Sequence, residues 1–294
     1  MIDPRTLRTF HAVCRAGTIS GAARALNISQ PSVTAAIQSL EASLGVELFT
    51  RSRGGIILSP AGEALSRSAE MQASLLAKAE EDVEAAKAGL FGALSVGGTP
   101  GALVSLLPRA LTALDGMDLQ FSLSVIERSD RDLVRMLRQG EIELAFVTTE
   151  LEEPADDISE QTLSRDPFAL IVGRRHDDLP DRLKLAAATG LPWVLPEARG
   201  AFRRQVDALF IDAGLLVPRN VIRCDSLLTT KALVRQGKRV TILPVEVAAA
   251  ELSIGVLRAI TLEDTKLGRS VGVRWMKDRP ISPFAQRLLM ALQR

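Results

Sequence analysis

One stretch, residues 18–45, constrains this chain more than any other: Thr-Ile-Ser-Gly-Ala-Ala-Arg-Ala-Leu-Asn-Ile-Ser-Gln-Pro-Ser-Val-Thr-Ala-Ala-Ile-Gln-Ser-Leu-Glu-Ala-Ser-Leu-Gly. Its spacing predicts two helices joined by a tight turn at Asn27-Ile28. In the first, Ala22, Ala23 and Leu26 share a face, and Ser20 is the expected N-cap. The second begins at Ser29, whose hydroxyl can accept from the first free backbone donors. Pro31 falls in its first turn, where a missing N–H costs nothing. Val33, Ile37, Leu40 and Leu44 then recur at helical spacing, and Gly45 can close the helix in the left-handed conformation. Gln30, Ser32, Thr34 and Gln38 are left on the outward face. A short helix, a turn and a second helix presenting small polar residues is the helix-turn-helix pattern for reading the DNA major groove. Amphipathic helix pairs are also common in other settings, so the flanking residues decide.

Upstream, residues 5–16 predict a helix ended by Gly17, with Leu7, Phe10, Val13 and Cys14 on its apolar face. Downstream, Val46-Glu47-Leu48-Phe49 returns apolar side chains to the three helices. Residues 51–58 then read as a short hairpin, with Gly54-Gly55 able to supply the positive φ angles of a tight turn. Arg51 and Arg53 at its rim suit phosphate contact. Residues 1–58 carry six Arg against three acids (Asp3, Glu41, Glu47), a local excess of three positive charges in a chain whose net charge is only +1. That excess doubles in a dimer, which is the sense expected for a polyanion partner.

The run Ala22-Ala23, Leu26, Ser29-Gln30-Pro31-Ser32-Val33, Ile37, Leu40-Glu41, Leu44-Gly45-Val46, Leu48-Phe49, Arg51, Leu58-Ser59-Pro60-Ala61-Gly62 resembles the winged helix-turn-helix of LysR-type transcriptional regulators, with order and spacing intact. The resemblance implies that the helix beginning near Ser29 enters the major groove of double-stranded DNA, with Gln30, Pro31, Ser32 and Thr34 touching bases or backbone. One departure stands out. Many members carry Arg or Lys just after the Thr34 position and again near Gln38, where this chain has Ala35, Ala36, Gln38 and Ser39. Readout should then rest on Gln30, on methyl contacts from Ala35 or Thr34, and on DNA shape.

Ser59 can cap a long helix that Pro60 opens. From Leu65 the positions 65, 69, 72, 76, 79, 83, 86 and 90 form a heptad seam with one polar member, Gln72. Glu80, Glu81, Asp82 and Glu84 lie away from it. A seam on a helix this long asks for a partner chain, with Leu65, Leu76 and Val83 as dimerisation residues; the linker helix of the resembling family fits. Gly89 and Gly92 mark a boundary. The expected organisation is a DNA-binding domain over residues 1–58, a linker helix over 59–89 and a further domain over 90–294.

Beyond residue 90, short apolar runs alternate with amphipathic helices. Strands are expected at Leu94–Gly97, Leu119–Ile126, Leu144–Val147, Phe168–Val172, Trp193–Leu195, Val221–Cys224, Val240–Leu243, Val256–Ile260 and Val271–Trp275. Helices are expected near 102–114, through Leu133 and Leu137, and near 201–213, 226–236 and 282–293. The alternation implies an α/β class with parallel sheets. Ligands in such sheets bind beyond strand carboxyl ends, beside helix N-termini. The points that fit are Gly98-Thr99-Pro100-Gly101, Ser129, Thr148-Thr149, Gly200-Ala201-Phe202 and Asp225-Ser226, which suit a small polar or anionic metabolite.

This region is similar to the effector-binding domain of the same family, a two-lobed α/β fold resembling type 2 periplasmic binding proteins. The resemblance implies a first lobe over about 90–165 and 266–294, a second over about 166–265 entered at Asp166-Pro167-Phe168, and an effector held against Thr99, Ser129, Thr148, Phe202 and Ser226. Arg239 stands where the family has a second glycine. The resemblance further implies a homodimer or homotetramer acting on RNA polymerase. The implied mechanism is a regulator whose effector alters lobe orientation, and through it DNA bending.

An enzyme and a secreted solute-binding protein are the rivals. Neither a Ser-centred nucleophile elbow, a metal-ligand cluster nor a phosphate loop is present, and no cofactor or metal is expected. Of the two histidines, His11 lies in the DNA-binding region and His176 in an expected exposed loop. Two distant cysteines, Cys14 and Cys224, point to a reducing compartment. The N-terminus lacks the apolar segment of a leader and no long apolar run occurs, so a cytoplasmic location without membrane contact is expected.

Overall fold

The computed structural model describes residues 2–52, 55–115, 119–197, 200–265 and 268–293. The chain divides into two compact units, one built on residues 1–88 and one on residues 89–137 and 142–294.

In the first unit, α1 (Pro4–Ala16), α2 (Ile19–Leu26) and α3 (Gln30–Leu44) each begin on a side-chain cap: Asp3, Thr18 and Ser29 accept from Arg5, Gly21 and Ser32 backbone N–H groups. Gly17 (φ 65°) and Gly45 (φ 69°) end α1 and α3 in the left-handed region, and Asn27 (φ 54°) does so for α2. Ser20 is therefore not the cap of α2. Thr18 has the extended backbone a cap needs, whereas Ser20 is already inside the first turn. Phe10, Val13, Ala22, Ala23, Val33, Ile37, Leu40 and Leu48 form the core. Leu44, the last helical residue, is 37% exposed and stays outside it. The hairpin is β1 (Phe49–Ser52) against β2 (Gly55–Leu58). Ser52 pairs with Gly55, so Gly55 belongs to the strand and not to the turn; residues 53 and 54 lie outside the described residues.

Helix α4 (Pro60–Lys87) starts on the Ser59 cap. Gly62 in its first turn touches the Leu48 carbonyl so closely that an added Cβ would sit 2.1 Å from that oxygen. The helix stops at Ala88, and Gly89 has φ +68°. Leu90 is consequently not a helical member of the expected seam.

The second unit begins with β3 (Ala93–Gly98), α5 (Pro100–Asp115), β4 (Ser122–Glu127), α6 (Asp130–Gln139) and β5 (Leu144–Thr148). After them come β6 (Ile158–Gly173), β7 (Arg182–Leu183), α7 (Leu185–Ala188), β8 (Trp193–Leu195), α8 (Ala201–Asp212) and β9 (Val221–Arg223). The last elements are α9 (Leu227–Gln236), β10 (Thr241–Pro244), α10 (Ala249–Ser253), β11 (Leu257–Leu262), β12 (Gly268–Met276) and α11 (Pro283–Leu292).

The sheet is mixed rather than parallel. Strands β4, β3 and β5 run parallel, but β12 is antiparallel to β5 and to the first part of β6. At Pro167–Phe168, β6 exchanges partners: Ile158–Pro167 pair with β12, while Phe168–Gly173 pair with β10 and β11. The sequence shows only the apolar second half of this strand. The first half, Ser159-Glu160-Gln161-Thr162, is polar because its side chains make bonds such as Arg274–Glu160 at 2.7 Å.

Helices α5 and α11 cover the β3–β5–β12 sheet around Leu106, Phe146, Val273 and Phe284. A second core, including Trp193, Phe210, Ile242 and Ile260, fills the other half of the unit. There Arg239 donates to the Trp193 carbonyl at 3.2 Å, fixing β8. His176 is also in this half and is buried, its Nε2 2.8 Å from the Lys238 carbonyl; the ring is a packing element and not an exposed loop residue.

Candidate functional sites

On the helix-turn-helix, Ala22 and Ala23 are buried where α2 meets the other helices, and Ser29, Gln30, Pro31, Ser32, Ala35 and Gln38 are exposed. Their hydrogen bonds set what each can offer. The Ser20 hydroxyl donates to Gln30 Oε1 at 3.1 Å, which leaves the Gln30 amide N–H groups as the outward function. Thr34 spends its hydroxyl proton on the Gln30 carbonyl at 3.1 Å and presents a methyl. Ser29 and Ser32 share a hydroxyl bond of 2.8 Å. Helix α3 carries no cation. Arg51 pairs with Ile56 through the β1–β2 ladder; Arg53 falls outside the described residues.

Along α4 the expected seam divides. Leu65 and Ala69 pack on the core of their own unit, whereas Leu76 and Val83 are 54% and 53% exposed, and Leu75 is 69% exposed beside them.

In the second unit a cavity of about 800 Å³ opens between the two halves of the domain. Thr99, Pro100, Ser129, Thr148 and Phe202 all line it, brought together because β3, β5 and the loops before α6 and α8 end at the same edge. Thr99 and Thr148 have hydroxyls that make none of the protein's own hydrogen bonds among the described residues. Ser129 instead donates to Asp132 at 2.7 Å. Two expected residues face elsewhere. Thr149 is buried and shares a 2.8 Å bond with Thr162, and Ser226 caps α9 by accepting from Thr229. Neither lines the cavity.

The cavity wall also holds residues that sequence spacing does not single out: Asp130, Arg203, Arg204, Cys224, Arg269 and Arg274. Burial pushes the Asp130 carboxyl up, with Arg274 and Arg204 opposing. Arg269 and Asp166 face each other across β12 and β6. Arg269 is 3% exposed, and burial lowers its guanidinium to about 10 while Asp166 raises it. Asp166, 1% exposed, is pushed up by burial and accepts from the Glu246 N–H at 3.2 Å on both oxygens. A polar triplet such as Gly-Arg-Ser reads as surface; only the long-range β12–β6 pairing puts this arginine beneath α5.

Among the described residues no group of three His, Cys, Asp or Glu side chains could hold a metal, and no helix is long and apolar enough to cross a membrane.

Residues 4–63 match the family described as bacterial regulatory helix-turn-helix protein, lysR family, and residues 87–294 match the LysR substrate binding domain. The transcriptional regulator GbpR of Azospirillum brasilense is 30% identical over 293 residues, covering 98% of this chain and 85% of its own. TfdS of Cupriavidus pinatubonensis is 30% identical over 280 residues, covering 93% and 92%. Among solved structures, CbnR, described as a LysR family transcriptional regulator, superposes with a TM-score of 0.70 at 26% identity over 99% of this chain and 98% of its own. Its full-length form in complex with target DNA gives a TM-score of 0.66.

Proposed function

The chain belongs to the LysR family of transcriptional regulators, with a DNA-binding helix-turn-helix and an effector-binding domain, and from that premise we propose how its own residues divide the work. Residues 1–58 dock on duplex DNA with α3 in the major groove. Gln30, its oxygen engaged by Ser20, donates from its amide to acceptors on base edges such as adenine N7 or guanine O6. Ser29, Pro31 and Ser32 meet the backbone at the helix start, while Thr34, Ala35 and Gln38 follow the groove. Arg51 and Arg53 of the hairpin neutralise phosphates, work that α3 cannot do without a cation.

Residues 59–89 join two copies through the exposed stretch containing Leu76 and Val83, with Leu65 at its base. Residues 90–294 hold a small-molecule effector in the cavity against Thr99, Pro100, Thr148 and Phe202, with Ser129 at its rim; Thr149 and Ser226 support this wall from behind. The lobes we assign as about 90–165 with 266–294, and 166–265, move relative to each other when the effector binds. In a homodimer or homotetramer that motion resets the spacing of the DNA-binding units, and so DNA bending and the access of RNA polymerase. Coupling of this kind is the effector's differential affinity for two assembly states. The setting is cytoplasmic, where promoter DNA is available.

The observation that carries this reading is the convergence of Thr99, Thr148 and Phe202 on one cavity in a chain that also carries the helix-turn-helix. Selection of duplexes from a random pool with the full-length chain tests it: a site with two related half-sites is expected. Thr148→Val should leave that binding intact and abolish its response to any effector found by screening. A pool no more enriched than the input refutes the DNA assignment, and a Thr148→Val protein that still responds refutes the cavity assignment.

A further inference from the structure

Of the six arginines on the cavity wall, Arg128 and Arg131 are exposed, and the other four differ in how far they are neutralised. Arg274 pairs with Glu160 at 2.7 Å, Arg204 with Glu152 at 3.0 Å and Arg203 with Asp207 at 3.3 Å. Arg269 has no ion pair among the described residues. Its two hydrogen bonds both leave from Nη2, to the Gly101 carbonyl at 3.0 Å and to Ser105 Oγ at 3.2 Å. Nε is buried without a partner, and Nη1 makes no bond either. The nearest carboxylate, Asp166, shares one Glu246 N–H between its two oxygens and acts on Arg269 through space, without a direct bond to it. An arginine only 3% exposed, with N–H groups that its own chain leaves unpaired, is better satisfied when an anion reaches Nη1.

The surroundings of Arg269 point the same way. It lies beneath the first turn of the 16-residue helix α5, and the partnerless hydroxyls of Thr99 and Thr148 flank that turn on the cavity wall. Helix α8, 12 residues long, also opens onto the cavity, and its cap Gly200 supplies no side-chain acceptor for the first amides. Two helix N-termini and a buried arginine without a direct ion pair therefore face a common space. Leu195, Phe202, Leu243 and Val247 give the wall an apolar side, while Glu127, Asp130, Glu152 and Asp225 line other parts of it. A volume of about 800 Å³ admits a complete metabolite and not merely an inorganic ion.

We propose that the cavity takes an organic oxyanion with an apolar body, whose oxygens accept from Nη1 of Arg269 and from the Thr99 and Thr148 hydroxyls. This rests on the reading of the cavity as the effector site. It adds the class of effector, a carboxylate or a phosphate ester, and names Arg269 as the residue that selects for charge.

The test holds the ring constant and changes the head group. Benzoate, phenyl phosphate and benzamide are titrated into the full-length protein at matched ionic strength, followed by calorimetry and thermal shift, up to about 10 mM, above the millimolar Kd within reach of a fragment. At least one of the two anions is expected to bind saturably, and at least about ten-fold more tightly than benzamide, the step that one charge-assisted contact supplies. Whichever anion binds better tells carboxylate from phosphate. Arg269→Met should abolish the preference for charge and Arg269→Lys should keep part of it. If Arg269→Met does not fold, Gly101→Ala serves, since its methyl would lie 2.3 Å from Nη1 and displace the guanidinium. Phe202→Ala should weaken all three compounds, which reports the cavity independently of charge. Benzamide binding as well as the anions, and weakened by Phe202→Ala, overturns the oxyanion class and leaves the effector cavity standing. Anion binding untouched by every Arg269 and Gly101 variant overturns the role of Arg269. Binding insensitive to Phe202→Ala, or no binding of either anion, overturns the proposal.

Discussion

Replacing Leu76 by Asp puts the proposed dimer seam to a quantitative test. Leu76 is 54% exposed in one chain. Burying a whole leucine side chain contributes about 1.5–3 kcal/mol, so covering the exposed half is worth roughly 1 kcal/mol per copy. A two-fold interface contains the substitution twice, giving about 2 kcal/mol of lost apolar burial. The two carboxylates must also be dehydrated, each at a further cost of about 1–2 kcal/mol in a half-open seam, without counting their mutual repulsion. The sum, roughly 4–6 kcal/mol, raises the dimer Kd by about 10³–10⁴. The intrinsic helix penalty of aspartate is only about 0.6 kcal/mol, so the 28-residue α4 should persist and circular dichroism should not change. Sedimentation velocity over a range of concentrations is the assay. Wild type and a Glu81→Ala control on the far side of the helix should sediment alike, and Leu76→Asp should shift to the monomer. A Leu76→Asp protein of unchanged mass and helicity would refute the seam.

Three other expectations follow from single contacts. Gly62→Ala should destabilise the first unit by about 2 kcal/mol in urea melts: a methyl 2.1 Å from the Leu48 carbonyl overpacks a site whose oxygen also binds the Ser59 N–H, and the better helix propensity of alanine offsets only about 1 kcal/mol; an unchanged midpoint would contradict the contact. Ser20→Ala should free Gln30 Oε1 to accept from adenine N6, shifting selected sites toward adenine at one position in each half-site; identical selected sequences would remove Ser20 from the readout. Cys14, raised by burial from its ordinary 9.0 to about 11, should react with iodoacetamide at pH 8 about 100-fold more slowly in the native protein than in the unfolded chain, and equal rates would show the thiol to be open.

Local chemistry made much of this legible from sequence. Ser29, Ser59, Gly17 and Gly45 occupy the cap positions their residue types predict, because caps are decided within four residues. The limit appears as soon as two local answers compete. Thr18 and Ser20 are both capping residues, and only the backbone angles chose Thr18. Long-range pairing was hidden more deeply. The polar half of β6 has no hydrophobic alternation because its partners are ions and strand carbonyls from β12. The same pairing buries Arg269, which looks like a surface residue between Gly268 and Ser270. At the cavity, Thr99, Thr148 and Phe202 could be named from strand ends and helix starts, whereas Thr149 and Ser226 carry the same signal and engage their hydroxyls with Thr162 and Thr229 instead.

For the lobe motion proposed above, the exchange of partners along β6 sets a definite constraint. Strand β6 crosses the junction, and β12 starts beside it, joined by ladder bonds from Gly268–Pro167 onward. A door hung on a strand that is bonded on both sides of the hinge resists sliding, since sliding would break the ladders, and yields more readily to swinging. Such a door gauges what stands in its frame mainly along the direction of swing. Two effectors with the same head group would then be told apart by their reach toward the far jamb, so that molecular length becomes the quantity converted into closure angle.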